Sequence, residues 1–328
     1  MNPALSVIFL TTLIGAGQGL FLALFTVQAY ALFDPLPMPD GHAFFAHGSA
    51  LALMFLIGGL AASFFHLGRP ERAWRAATQW RTSWLSREVI VLPAFMTVVF
   101  LYGLAHLLGW KLAVATLPSG LSIDATIVLG GIGTVLAFAL YVCTAMIYAC
   151  LRFLREWHTP LTVANYLLLG VGSGFTLAAG FATVAAPDLV RFFAGWAIVI
   201  TGLGLASRVA SLVRNARLKP KSSLQSAIGV KHPRIVQKTQ GAMGGSFNTR
   251  EFFHGKPAGL LRSVKWLFLA MAFVVPMLLM AVALTGSAAG TLLFPAAFVV
   301  QYLGLLAERW FFFAQANHPQ NLYYHSVA

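Results

Sequence analysis

Charge is what this sequence has least of. Asp, Glu, Lys and Arg together make up 9% of its 328 residues, against about 25% in soluble domains. Nine of those charges are carboxylates. A chain this poor in ionic groups cannot cover a water-exposed surface, so a soluble globular fold is excluded. Cysteine is nearly missing as well: Cys143 and Cys150 are the whole complement. They lie in one apolar run on a similar face and read as small packing residues. Two thiolates also fall short of the roughly four that hold an iron–sulfur cluster. The alternating segments of about 10 residues that mark a membrane β-barrel are absent too. The opening residues, Met1 to Leu5, carry no basic stretch, the apolar run behind them outruns a signal h-region, and no twin-arginine pair precedes it, so no cleavable leader is expected.

What fills the chain is apolar sequence: 59% of residues are hydrophobic and the mean hydropathy is +0.78. Eight runs are each long enough to cross a hydrocarbon layer of about 30 Å. They cover residues 4–33, 42–67, 86–109, 124–151, 161–185, 189–213, 264–286 and 290–315. The expected fold is all-α, a polytopic bundle of eight transmembrane helices forming a single transmembrane domain over 1–328. Between the sixth and seventh runs, residues 214–263 change character. They are basic, rich in Gly, Ser and Pro, with Glu251 as the sole acid, and read as a long extramembrane loop. Gly15, Gly17 and Gly19 in the first run permit close helix contact. Asp34-Pro-Leu-Pro-Met-Pro-Asp40 ends that run, a short loop with Pro118 joins the third to the fourth, and Pro276 reads as a tolerated kink in the seventh.

The net charge of +13 is not a nucleic-acid signal, because its distribution follows the membrane. Eight spans put both termini and the loops after the second, fourth and sixth on one side. That side receives every Lys and Arg except Lys111 and Arg191. The opposite side holds those two with Asp34, Asp40, Asp124 and Asp188. Basic residues collect in cytoplasmic loops. Both termini and the large loop are therefore expected in the cytoplasm, with the chain in a bacterial inner membrane.

Polar chemistry concentrates in residues 64–88, the link between the second and third runs. It holds His66, Glu71, Glu88, Arg69, Arg72, Arg75, Arg81 and Arg87, with Trp74, Trp80 and Trp84. An ionisable group at the edge of a membrane helix marks function by default, and a histidine exchanges protons near neutral pH. His66 is thus a candidate to bind a quinone carbonyl, against the plainer role of an interfacial histidine. Glu88 opens the third helix, where it either caps the helix or relays protons; pairing with Arg87 or Arg69 would keep it ionised. Ser86 is the expected N-cap. Arg69, Arg72 and Arg75 share one side of a helical linker, facing a partner or lipid headgroups. Glu308-Arg309, near the end of the eighth run, closes the site from across the bundle or forms a local snorkelling pair. His47 and His106 match in depth near the outer ends of their helices and leave a single haem open. A transporter places its polar groups near mid-depth, whereas here they gather at one face.

Two stretches, His66-Leu-Gly-Arg-Pro-Glu-Arg-Ala and Ser83-Trp-Leu-Ser-Arg-Glu-Val, resemble the membrane-anchor subunits of the dimethyl sulfoxide reductase type, as does Glu308-Arg309-Trp-Phe-Phe-Phe. These are the quinone-reactive anchors of molybdopterin enzymes. The resemblance implies a complex with a molybdopterin catalytic subunit and an iron–sulfur subunit. In it the anchor binds quinone, either ubiquinone or menaquinone, and carries no haem. His66, Glu88 and Arg309 take the family's quinone-site positions, with Arg69 beside them. Arg72, Trp74, Arg75 and Arg81, together with Phe247, Arg250, Phe252 and His254 of the long loop, are the candidates for partner docking; no metal ligand is expected. The long loop and the cytoplasmic charge bias depart from the dimethyl sulfoxide reductase pattern. They fit better the membrane subunit of a cytoplasm-facing sulfite dehydrogenase (quinone), with dimethyl sulfoxide reduction by menaquinol as the alternative.

Overall fold

The computed structural model describes residues 1–32, 43–110, 112–116, 122–220, 222–236, 238, 256–286 and 290–323. Among them, eight helices are long and apolar enough to cross a membrane: α1 (Leu5–Tyr30), α2 (Ala43–Phe64), α3 (Trp84–Leu107), α4 (Ala125–Ala149), α5 (Pro160–Ala185), α6 (Val190–Ala216), α7 (Ala258–Leu284) and α8 (Gly290–Ala314). In lipid a spanning segment must satisfy its own backbone polar groups, and a helix does so within itself. The expected bundle is the one found. Two details differ. The stretch after α3 includes a small antiparallel pair, β1 (Ala113–Thr116) and β2 (Ser122–Asp124). In addition, α6 runs on to Ala216 and α7 starts at Ala258, so both helices project past their apolar runs. Arg214 and Arg262 fall in those projections, and the Arg214 guanidinium donates to the Arg155 and His158 carbonyls of the α4–α5 loop at 3.0 and 3.3 Å.

α1 is the central helix, packed by α2, α4, α5 and α8. Its small residues let neighbours approach to backbone contact. A Cβ on Gly174 of α5 would fall inside the backbone of Gly19–Leu20, and one on Gly19 would meet the Gly170 carbonyl. With no hydrophobic drive between helices in lipid, such close packing is what holds them together. Aromatic rings fill the wider gaps: Phe21 meets Phe95 at 5.4 Å and Tyr102 at 5.3 Å, both edge-on.

Pro276 has the tolerated place expected of it. α7 widens to a π-helical turn at Ala270–Val274, and Pro276 has no N–H to give the Ala272 carbonyl one turn back. Gln301 of α8 supplies the missing donor, its Nε2 lying 3.3 Å from Ala272 O and 3.1 Å from Thr201 Oγ1 of α6. Gly304 lets α8 come this close, since a Cβ there would strike the Met271–Ala272 backbone. At the end of the bundle, Trp157 Nε1 donates to Phe312 O at 2.9 Å, fastening the α4–α5 loop over α8.

Candidate functional site

α3 begins two residues earlier than its apolar run suggests. Ser83, not Ser86, is the N-cap, its Oγ accepting from Ser86 N at 3.4 Å. Consecutive residues of a helix point in different directions, and Arg87 and Glu88 take different sides. Arg87 faces the linker: its Nε and Nη2 donate to the carbonyls of Trp80 and Arg81 at 2.9 and 2.8 Å, and its guanidinium stands 4.2 Å from the Trp84 ring. Glu88 faces inward and is buried. Its partner is therefore not an arginine but Thr144 of α4, whose hydroxyl donates to Glu88 Oε1 at 2.5 Å.

Glu88 lines a cavity of about 20 Å³ among α1, α3, α4, α5 and α8, with Gln18, Tyr141, Thr144, Tyr166 and Arg309 on its walls. Glu88 and Tyr166 lie a few residues from the start of their helices, and Thr144 and Arg309 a few from the end of theirs. At 1.5 Å rise per residue that is a depth of about 6–9 Å, at the end of the bundle that bears His66. Arg309 has its guanidinium 3.9 Å from the Tyr166 ring centroid. Its Nε is 2.9 Å from Glu308 Oε2, and Glu308 Oε1 is 2.7 Å from Arg208 Nε of α6. A buried carboxylate thus sits between two buried guanidiniums, the arrangement that makes ions tolerable at this depth. Arg309 Nη1 and the Tyr166 hydroxyl, buried and close enough to interact, complete no hydrogen bond of good geometry. The cavity therefore offers donors, a carboxyl and room for a water.

Residues 1–314 match the family model of the DMSO reductase anchor subunit (DmsC). The chain belongs to that family. A sulfite dehydrogenase subunit of Allochromatium vinosum is 58% identical to this anchor over 329 residues, with 100% of both sequences covered.

Within the anchor subunit, the four residues expected at the quinone site divide. Glu88 and Arg309 meet at one cavity. His66 and Arg69, at the same end, are exposed and do not line it. Partial burial still lowers the His66 pKa below the ordinary 6.5. Of the docking candidates, Arg72, Trp74, Arg75 and Arg81 are exposed on or beside a 3₁₀ helix, Pro70–Gln79. Three residues per turn stack Arg72 over Arg75, as the three-residue spacing suggests. Phe247, Arg250, Phe252 and His254 lie outside the described residues. His47 is exposed, while His106 is buried with its ring stacked on Phe45 at 4.5 Å, so the two histidines take different faces. Sequence reasoning treated Arg208 only as part of the charge count. The signal was there: an arginine within an apolar span, matched by Glu308 in another. Tyr141, Thr144 and Tyr166 carried no such signal, since single hydroxyls are common in membrane helices.

Proposed function

We propose that this anchor subunit passes electrons between an iron–sulfur partner and membrane quinone, in a molybdopterin complex that oxidises sulfite. The observation that carries this reading is the convergence of Glu88, Thr144, Tyr166 and Arg309 on one cavity at the basic end of the bundle. Quinone, when bound, would take up two electrons and two protons. The donor set suits its carbonyl oxygens: Arg309 and Tyr166 supply hydrogen-bond donors, and Glu88 gives or takes the proton. A cavity of about 20 Å³ holds water and not a ring, so these residues form the proton-handling wall of the site. His66 and Arg69 stand where quinone arrives from lipid.

The exposed arginines and tryptophans of residues 69–81 are the docking surface for the iron–sulfur subunit, with Phe247, Arg250, Phe252 and His254 of the long loop. The basic end faces the cytoplasm, as the distribution of Lys and Arg supports. The substrate reading draws on the name of the Allochromatium vinosum relative.

The test is the purified complex assayed twice, with sulfite reducing a soluble dye and with sulfite reducing quinone. Glu88→Gln and His66→Ala leave the dye assay intact and depress the quinone assay. Normal quinone turnover in both variants puts the site elsewhere. A periplasm-only reporter that is active after Ala328 reverses the orientation.

A further inference from the structure

Arg208 is the largest side chain wholly buried in the bundle, 1% exposed, yet its helix, α6, contributes nothing to the cavity wall. We infer that Arg208 is a positioning residue of the quinone site: through Glu308 it holds Arg309 against Tyr166, at the cavity that Glu88 lines. This deepens the quinone reading and rests on it.

The geometry runs in one line. Arg208 Nε lies 2.7 Å from Glu308 Oε1, and Arg309 Nε lies 2.9 Å from Glu308 Oε2. A carboxylate paired through both oxygens is held in orientation, so Arg309 is tethered by its Nε while its Nη1 stays free on the Tyr166 side. Phe268 and Phe311 hold the Arg208 guanidinium from the other side, with ring centroids 5.4 and 5.9 Å away. The charges point the same way. Two guanidiniums against one carboxylate leave one positive charge in the cluster. Without Arg208, Glu308 neutralises Arg309, and the cavity loses both its oriented donor and its positive field, which acts strongly in a low-dielectric interior.

A purely structural role, tying α6 to α8, is separable because the same two helices are tied elsewhere by Gln301 and Thr201. Gln301→Leu breaks that tie without touching the charges.

The experiment measures, in the whole complex, the Kd of a fluorescent quinone analogue, KM and kcat for quinone, and the thermal midpoint. Arg208→Gln is expected to raise Kd and KM about tenfold, the scale of one lost charged hydrogen bond. Arg208→Lys recovers part of that loss, and Gln301→Leu lowers the thermal midpoint with Kd unmoved. Should Arg208→Gln not assemble, the double variant Arg208→Met, Glu308→Met takes its place; it keeps the cluster's single net positive charge, now on Arg309 alone, with weak analogue binding expected because Arg309 has lost its tether. Normal binding in whichever of these two assembles overturns the inference, as does a Gln301→Leu variant whose Kd moves as far. If Glu88→Gln and Arg309→Gln leave both analogue binding and quinone turnover unchanged, the quinone reading has failed instead.

Discussion

Arg208 and Glu308 form an ion pair at 2.7 Å, each side chain 1% exposed, between α6 and α8. Glu308 also faces Arg309 at 2.9 Å, so one carboxylate compensates two cations. Glu308→Leu strands both, and breaking a buried pair by removing one partner costs about 3–5 kcal/mol. The denaturation midpoint of the detergent-solubilised chain should fall accordingly. Arg208→Met combined with Glu308→Leu should fall less than Glu308→Leu alone; additive losses would show that the two residues do not act as a pair.

Glu88→Gln keeps a carbonyl oxygen for the Thr144 hydroxyl but ends proton exchange at that position. General acid–base groups contribute about 10²–10⁴-fold in rate. Quinone-coupled turnover should drop by at least the lower figure with dye-coupled turnover kept. Thr144→Val, which removes the hydrogen bond and leaves the carboxyl, should have the milder effect.

Gly174→Ala adds a methyl where the Gly19–Leu20 backbone already lies. Backbone cannot rotate away as a side chain can, so α1 and α5 must separate, at about 1–3 kcal/mol. Gly131→Ala, at a glycine whose added Cβ meets nothing within 4 Å, is the matching control. Equal stability of the two variants would rule out the close crossing.

Gln301→Leu removes the donor that serves the Ala272 carbonyl in front of Pro276. A lost hydrogen bond of this kind is worth about 1 kcal/mol. If it goes, hydrogen exchange should rise first in the π-helical turn Ala270–Val274, and unchanged protection there counts against the pairing.

His66 should titrate with a midpoint below 6.5, because partial burial disfavours its charged form. The sign follows from linkage: the unfolded chain binds that proton more readily, so the His66 contribution to stability is present above the ordinary histidine value and fades as the pH falls below it. Nuclear magnetic resonance of His66 in the detergent-solubilised chain reads the midpoint directly, and a value at or above 6.5 contradicts the partial burial.

Composition and spacing by themselves determined the membrane class, the eight spans and which end carries the basic residues. Those features depend on hydrophobic length and on charge along the chain, and both are local. Glu88 and Arg309 stood out only weakly, as rare ionisable residues near the ends of apolar runs, and it was the resemblance to the anchor family that named them as site positions. Which way they face was not legible. A helix start misplaced from Ser83 to Ser86 changes the expected surroundings of every side chain in the first turn, and the partner of Glu88 proved to be Thr144, far along the chain in another helix. Only the packing of α6 and α8 on their shared neighbours α5 and α7 brought Arg208 to Glu308, and only the packing of α5 with α1, α4 and α8 set Tyr166 beside the cavity. Helix faces are chosen by neighbours in three dimensions, where a polar group in lipid must find its partner on whichever helix supplies one.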